Sequence, residues 1–329
     1  MPKAIITDHT FDSLDPQKNI IESAGFACEA ISPNCKTEED VIRTCSDADV
    51  LLVQWAPVTK RAMQSLPKLR GIVRYGVGVN NLDLDGAREL GITIANVPTY
   101  CLEEVSDHTL ALLLSLGRRI PQDHFGITHG GWGIQPEMLP IPAFRDLTLG
   151  LIGFGAIARL VAKKASAFGF RIIASDPYQE EQIFKSNGAE KYDLDSVFRS
   201  ADMISLHCPL LAETKHLVNR DSINTMRKGV IIINTSRGPV INEPDLIEAL
   251  QDGRVLAAGL DVFEQEPLPL NNPLRSMSNV LLTSHAASVS TRAVKLLPIK
   301  AAEAARDILL GKRPEGAMVW ADRFTAPAQ

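Results

Sequence analysis

A glycine-rich turn stands in the middle of the chain. The segment Gly153-Phe154-Gly155-Ala156-Ile157-Ala158 follows an apolar run at 149–152 and opens a helix-like stretch that reaches Phe168. The first glycine permits a tight turn, the second lets the backbone approach a pyrophosphate, and the small Ala158 allows close packing of helix on strand. A turn of purely structural purpose is the alternative. The order of strand, turn and helix favours a dinucleotide-binding loop.

An acidic residue stands where such a loop needs one. Asp176 ends the next predicted strand, 18 residues after Ala158, where a carboxylate can accept hydrogen bonds from the adenosine ribose hydroxyls. A 2'-phosphate would face a like charge there, and the following Pro177-Tyr178-Gln179-Glu180-Glu181 offers no cation to offset it. We therefore expect NAD rather than NADP.

Three further residues have side chains suited to redox chemistry beside a nicotinamide. Arg237, Glu266 and His285 each stand just beyond one of the last three predicted strands. Hydride transfer to a ketone needs an acid for the oxygen and a cation for a neighbouring carboxylate, and these residues can supply both. Taken singly, each could be a surface cation, a solvated acid or a strand-end histidine. Their common position on one edge indicates an oxidoreductase site.

The elements that must position these residues are short apolar strands that alternate with helical patterns, which predicts parallel sheets. The predicted strands are 4–7, 50–53, 71–74 and 93–96 in the first hundred residues, and 148–152, 171–175, 203–208, 230–235, 257–262 and 280–284 after residue 147. Helix signals include the cap at Thr37 and a helix at 84–90 that ends at Gly91. In open α/β sheets ligands bind outside the carboxyl ends of the strands, where Arg237, Glu266 and His285 stand.

The segment 102–120 is predicted to be a helix with apolar residues around most of its circumference, whereas a surface helix shows one stripe. We expect it to pack on the nucleotide domain of a second subunit in a homodimer, with burial in its own chain as the alternative. Residues 121–146 lack clear periodicity and are predicted to form a long arm. Residues 293–310 are predicted to form a closing amphipathic helix, and the tail 325–329 is expected to be disordered.

Composition excludes several classes of protein. Of 329 residues 45% are hydrophobic and 22% charged, as in globular proteins. The net charge is -5, and no segment of the sequence concentrates Lys and Arg. Nucleic acid and membrane are therefore not expected as partners. The cysteines include no C-x-x-C pair, so neither a disulfide framework nor a metal is expected. With no signal-peptide pattern at the N-terminus, a cytoplasmic location is expected.

Seven motifs occur in order along nearly the whole chain: Tyr75-Gly76-Val77-Gly78-Val79-Asn80-Asn81, the segment 150–158, Ser175-Asp176-Pro177-Tyr178, Leu206-His207-Cys208-Pro209, Asn234-Thr235-Ser236-Arg237-Gly238, the segment 260–267, and His285-Ala286-Ala287. Through them the chain resembles the D-isomer-specific 2-hydroxyacid dehydrogenase family. Arg74, Asn96-Val97-Pro98, Met226-Arg227-Lys228-Gly229 and the His-Ala-Ala triplet resemble the branch that contains the C-terminal-binding proteins.

The resemblance implies roles for individual residues. His285 would be the acid/base, Glu266 its partner and Arg237 the anchor for the substrate carboxylate and carbonyl, the same three that the strand ends indicate. The cofactor would contact Gly153, Gly155, Ala156, Ile157, Asp176, Pro177, Cys208, Pro209, Thr214, Thr235, Asp261 and His285. The substrate would contact Arg74, Gly76, Val77, Gly78, Arg237 and Ser288, with the glycine-loop amides on its carboxylate. His207 is expected to pack or hydrogen-bond locally.

Three positions depart from the family pattern. Ser288 stands where the C-terminal-binding branch has a tryptophan, so a pocket wall built from that indole is absent and the preferred substrate side chain stays open. Ser284 replaces the usual proline before the histidine, and Asn80 replaces a common aspartate.

The resemblance implies an α/β fold of two doubly wound parallel-sheet domains. A flavodoxin-like substrate domain would comprise 1–99 and 289–329, and a Rossmann nucleotide-binding domain 100–288. The protein would interconvert a 2-oxo acid and a D-2-hydroxy acid with NAD. Two alternatives stay open: a dinucleotide-sensing corepressor-like binding protein, and a dehydrogenase of a phosphorylated hydroxy acid.

Overall fold

A computed structural model of the chain describes residues 1–133 and 139–321. Backbone contacts divide the chain into two compact units. Unit 1 is Met1–Cys101 together with the chain from Val289 onward, and unit 2 is Leu102–Ser288. The predicted disordered tail at 325–329 lies outside the described residues.

Unit 1 is built on a six-stranded sheet. Its strands are β1 (Lys3–Ile6), β2 (Ala27–Ala30), β3 (Val50–Val53), β4 (Gly71–Arg74), β5 (Thr93–Ala95) and, from the far end of the chain, β13 (Ala317–Val319). Its helices are α1 (Asp15–Glu22), α2 (Glu38–Thr44), α3 (Lys60–Gln64), α4 (Leu84–Leu90) and α12 (Thr291–Leu309).

The sheet of unit 1 has the flavodoxin-like order. Strands β2-β1-β3-β4-β5 are parallel, and β13 pairs antiparallel with β5 at the edge. Gly71 lets α12 lie directly on β4, because a Cβ there would stand 2.8 Å from Cγ2 of Ile308. Thr37 caps α2 and a left-handed Gly91 ends α4, so these two signals are confirmed.

Unit 2 is built on a seven-stranded sheet. Its strands are β6 (Thr148–Ile152), β7 (Arg171–Ser175), β8 (Glu190–Lys191), β9 (Met203–Leu206), β10 (Val230–Asn234), β11 (Val255–Leu260) and β12 (Val280–Leu282). Its helices are α5 (Leu102–Gly117), α6 (Ile120–Thr128), α7 (Ala156–Ser166), α8 (Glu181–Ser186), α9 (Leu194–Ser200), α10 (Arg220–Thr225) and α11 (Glu243–Gln251).

The sheet of unit 2 is a Rossmann sheet. Its order is β8-β7-β6-β9-β10-β11-β12, and every pairing is parallel. Alternate residues of β10 enter two different cores: Ile232 lies in one apolar cluster, and Ile231 and Ile233 lie in the other. The sheet is therefore buried on both faces, and the prediction of a doubly wound α/β fold is confirmed.

The expectation that α5 packs on a second subunit is wrong. Leu113 and Leu116 are fully buried within the chain, in a cluster shared with strands β6 and β10 and helix α7. Gly259 of β11 explains the close approach, because a Cβ there would lie 3.1 Å from Leu112 and 3.2 Å from Leu116. The helix is apolar on most sides because its own sheet and α7 cover it.

The predicted arm at 121–146 contains regular structure. Helix α6 occupies its start, and a 3-10 turn at Phe144–Asp146 leads into β6. None of the residues of α6 is buried, so its apolar residues give no core-facing stripe that a periodicity search would detect. In the described residues, no helix is both long enough and apolar enough to cross a bilayer.

Candidate active site

The glycine turn connects β6 to α7 as predicted. Gly153 has φ +84°, and a Cβ on it would lie 2.7 Å from the backbone N of Cys208. Gly155 is the N-cap of α7, makes no side-chain cap, and has open space where a Cβ would stand. Ala156 and Ile157 form the first turn of that helix. An uncapped helix N-terminus beside open space fits a dinucleotide pyrophosphate.

Asp176 lies directly after β7, beside the glycine turn. Its Oδ2 accepts the N–H of Phe154 at 2.8 Å, and its Oδ1 accepts the N–H of Tyr178 at 2.9 Å. The carboxylate thus fixes the turn, and each oxygen keeps a lone pair for a ribose hydroxyl. Pro177 is exposed beside it.

The segment after β9 forms the facing wall of the turn. Cys208 is buried, and burial raises the pKa of its thiol to about 11, so the sulfur stays protonated at neutral pH. Pro209 is exposed, and its carbonyl accepts the hydroxyl of Thr214 at 2.6 Å, which folds the loop on itself. His207 hydrogen-bonds Ser205 through Nε2 at 2.9 Å, and burial lowers its pKa to about 4. A neutral, locally bonded His207 is unsuited to supplying a proton.

Arg237, Glu266 and His285 follow three neighbouring parallel strands, β10, β11 and β12. The structure brings Glu266 and His285 together: His285 Nδ1 lies 2.6 Å from Glu266 Oε2. Arg237 is close enough for its charge to act on the Glu266 carboxyl. The carboxyl edge of the sheet therefore gathers a cation, an acid and an imidazole.

The pKa of Glu266 is set by opposing effects. Burial disfavours the charged carboxylate, but hydrogen bonds from His285 and from the N–H of Phe263, together with the charge of Arg237, lower its pKa below the ordinary value. Glu266 is consequently ionised at neutral pH. An ionised acceptor at Nδ1 leaves Nε2 as the nitrogen of His285 that can face a substrate.

Gly238 brings the Arg237 loop against the Glu266 loop. A Cβ on Gly238 would lie 1.8 Å from the carbonyl oxygen of Phe263 and 2.6 Å from the N of Glu264. The Arg237 loop itself is folded by buried Asn234, whose side chain accepts the N–H of Ser236 and donates to the carbonyl of Arg237. Only glycine permits this approach of two backbones.

Asp261 holds the loop that carries His285. It is 1% exposed, and its oxygens accept the N–H groups of Ala286 at 2.8 Å and Ala287 at 3.0 Å. His285 itself has φ +54°, a left-handed conformation that is uncommon for a histidine. Asp261 was predicted as a cofactor contact; the contacts that it makes here are to the His285 loop. Ser288 ends unit 2 just beyond that loop.

Unit 1 carries the second glycine loop, at the carboxyl end of β4. The carbonyl of Gly76 accepts the N–H of Val97, and the carbonyl of Val77 accepts Asn96 Nδ2. In a trans peptide the N–H points opposite to the carbonyl, so the N–H groups of Val77 and Gly78 face away from Asn96 and Val97. The guanidinium of Arg74 lies over the same loop, since a Cβ on Gly76 would stand 1.8 Å from its Nη1. A guanidinium and two backbone amides on one loop are groups that can bind an anion such as a carboxylate.

Sequence reasoning missed polar residues of α5 that reach the strand ends. His108 Nε2 lies 2.9 Å from Thr283 Oγ1, and Thr109 Oγ1 lies 2.9 Å from Thr235 Oγ1. The available signal was the polar run Ser106-Asp107-His108-Thr109 directly before the apolar stretch of the helix. In the described residues, no group of three His, Cys, Asp or Glu side chains is arranged to hold a metal ion.

Comparisons with known proteins agree with this architecture. Residues 110–287 match the model of the D-isomer specific 2-hydroxyacid dehydrogenase NAD-binding domain. A hydroxypyruvate reductase from Thermotoga maritima is 37% identical over 298 residues, covering 90% of this chain and 95% of the relative. A D-3-phosphoglycerate dehydrogenase from Methanocaldococcus jannaschii is 38% identical over 281 residues, covering 85% of this chain but 53% of the relative. The chain thus spans about half the length of that relative.

A solved structure gives the same result. The crystal structure of D-lactate dehydrogenase from Aquifex aeolicus complexed with NAD and lactic acid has a TM-score of 0.81 and 26% identity, covering 94% of this chain and 96% of that one. The glycine turn, the strand order and the family match all point to one conclusion. The chain belongs to the D-isomer-specific 2-hydroxyacid dehydrogenases, with their NAD-binding domain at residues 110–287.

Proposed function

We propose that the protein is an NAD-dependent dehydrogenase that interconverts a 2-oxo acid and a D-2-hydroxy acid. The observation that carries this proposal is the 2.6 Å contact between His285 and ionised Glu266 at the carboxyl end of neighbouring strands. The uncapped start of α7, with Gly153, Gly155 and Asp176, holds the cofactor, which supplies or accepts the hydride when bound.

His285 supplies the proton in this reaction. In reduction, its Nε2–H gives a proton to the substrate carbonyl oxygen, and in oxidation the neutral ring takes the hydroxyl proton. Glu266 fixes the orientation of the ring through the 2.6 Å contact of its carboxylate with Nδ1. Arg237 binds the substrate carboxylate and polarises the carbonyl through paired hydrogen bonds.

The loop of Arg74, Gly76, Val77 and Gly78 in unit 1 is a second candidate for binding the substrate carboxylate. Its support is the direction of the Val77 and Gly78 amides and the guanidinium that overlies Gly76. The roles of Ser288, Thr214 and Thr235 at substrate or cofactor remain proposals that rest on the family resemblance.

A steady-state panel tests the function. Purified protein with NADH should reduce at least one of hydroxypyruvate, phosphohydroxypyruvate and pyruvate to the D-isomer of the 2-hydroxy acid. The rate is measured as the loss of NADH absorbance. His285→Ala should lower kcat by about 100-fold or more while NADH affinity is retained. Wild-type protein that binds NADH but reduces none of these acids, or an alanine variant with normal turnover, would contradict the proposal.

The panel also separates the alternatives. Arg74, Asn96-Val97-Pro98 and Met226-Arg227-Lys228-Gly229 support placement in the branch of the C-terminal-binding proteins, which includes dinucleotide-sensing corepressors. NADH binding without turnover would favour a dinucleotide-sensing binding protein of that kind. A marked preference for phosphohydroxypyruvate would favour a phosphorylated hydroxy acid as substrate.

We also propose a homodimer, formed through the exposed apolar residues of α6 and the segment after it. Phe125 is 56% exposed and Trp132 is 88% exposed, with Ile120 and Ile127 close by on the same segment. A patch of this kind is typical of subunit interfaces. Light scattering should report a dimer that Phe125→Asp dissociates; an unchanged dimer would exclude this surface. A cytoplasmic location is supported by five free, buried cysteines.

A further inference from the structure

We propose that His108, on helix α5, is a positioning residue for the loop that carries His285. Its Nε2 lies 2.9 Å from Thr283 Oγ1, and that hydroxyl donates to Asp261 Oδ1 at 2.6 Å. Asp261 in turn accepts the amides that directly follow His285. A continuous chain of hydrogen bonds therefore runs from α5 to the proton donor of the proposed function, on which this inference rests.

The direction of each hydrogen bond assigns the state of the His108 ring. Thr283 has one hydroxyl proton, and it goes to Asp261. The oxygen of Thr283 can therefore only accept from His108, so Nε2 of His108 carries a proton. His108 also lies 3.7 Å from Asp261 Oδ1 through the same atom. The histidine acts on the network as a donor from Nε2.

The loop needs external support because of its backbone conformation. His285 has φ +54°, and a non-glycine residue in this region persists only where its surroundings hold it. The N–H of His285 also donates to the carbonyl of Asp261 at 2.8 Å. Asp261 thus fixes three successive amides, and His108 with Thr283 fixes one of its carboxylate oxygens.

Thr109 extends the same role to the next loop along the sheet. Its hydroxyl donates to the carbonyl of Val105 at 2.8 Å, so its 2.9 Å contact with Thr235 is a bond donated by Thr235. Thr235 lies two residues before Arg237. Consecutive residues of one helix therefore reach the loops of both the cation and the proton donor.

The test uses four variants of the full-length protein. His108→Ala removes the hydrogen-bond donor. His108→Gln places a side-chain N–H where Nε2 of His108 stands, whereas the side chain in His108→Asn is one bond too short to place its N–H there. His124→Ala, an exposed histidine on α6, is the matched control. Two readouts apply: hydrogen exchange of the Ala286 and Ala287 amides, and the single-turnover rate of 2-oxo acid reduction with bound NADH.

We expect His108→Ala to accelerate exchange of these two amides and to lower the single-turnover rate by about five- to tenfold, the range for one lost hydrogen bond. The KM for the 2-oxo acid should stay near the wild-type value, because the hydrogen bonds from His108 lead to the His285 loop, whereas the proposed anchor of the substrate carboxylate, Arg237, stands on a different loop. His108→Gln should restore both readouts, whereas His108→Asn should not. The His124→Ala control should match wild type.

A double-mutant cycle completes the test. In a Thr283→Val background, His108→Ala should have no further effect, because the bond that it removes is already lost. Additive effects, or normal exchange and normal rate in His108→Ala alone, would overturn the inference. Amide exchange needs no substrate, so a protein without turnover would refute the proposed function and still decide the role of His108.

Discussion

Replacing Gly238 by alanine is the most direct test of the site geometry. The new Cβ would lie 1.8 Å from the carbonyl oxygen of Phe263, whereas ordinary contact begins near 3.4 Å. The two backbones must therefore separate by the difference, 3.4 − 1.8 = 1.6 Å. Separation moves the Arg237 loop away from the Glu266 loop, and a misplacement of about 1 Å can cost about 100-fold in rate. We expect kcat to fall by at least about 100-fold.

The assay must separate displacement from unfolding. Overpacking costs about 1–3 kcal/mol, so Gly238→Ala should remain folded and should bind NADH, whose proposed site is the glycine turn after β6. Gly126→Ala on α6 is the matched control, because a Cβ there meets nothing within 4 Å. Near-normal kcat in a folded Gly238→Ala protein would refute the inference that the approach of the two loops sets the catalytic geometry.

Three further predictions concern the acid pair, the cofactor and the core. Hydrogen bonds from His285 and Phe263 and the charge of Arg237 outweigh burial and lower the pKa of Glu266 below its ordinary value, so this stabilisation is present above that value and is lost as the pH falls through the lowered pKa. Glu266→Gln should make the loss of folding stability in acid smaller, and an unchanged dependence of the unfolding free energy on pH would reject the coupling. Asp176→Asn should narrow the preference for NADH over NADPH by about tenfold in kcat/KM, since the charge that repels a 2'-phosphate is gone; an unchanged ratio would show that Asp176 does not set it. Leu113→Asp should give unfolded or insoluble protein because it buries a carboxylate, whereas Ala111→Asp on the exposed face of α5 should behave as wild type; a folded, dimeric Leu113→Asp protein by light scattering would contradict this account.

Local signals in the sequence predicted much of the fold. The helix at 84–90 was located from its terminal Gly91, and strands such as 50–53 and 171–175 were located from their apolar runs. Three strands lacked such signals. In β2, Cys28 alone is buried. Glu190 and Lys191 of β8 are both exposed, and β13 has three residues whose strand conformation depends on pairing with β5. A periodic pattern in the sequence cannot reveal a strand whose conformation depends on pairing with another strand.

Sequence periodicity likewise cannot predict which surface an apolar helix packs against. A helix covered by its own sheet and a helix covered by a second subunit show the same pattern, so α5 was assigned to the wrong partner. The three strand-end residues were predicted because parallel strands share one carboxyl edge. The use of Asp261 by amides 25 and 26 residues away was not predictable, because no local pattern encodes which loop meets a buried carboxylate.

The division of the chain has a consequence for synthesis on the ribosome. Unit 2 is complete in sequence once Ser288 has emerged, so all seven of its strands can assemble while the chain is still growing. Residues 1–101 must wait for α12 to cover Gly71 and for β13 to pair with β5, and both of these elements follow unit 2 in the sequence. Residues 1–101 are therefore made before unit 2 but complete their sheet after it, and during that interval their apolar surface and the edge of β5 stay exposed.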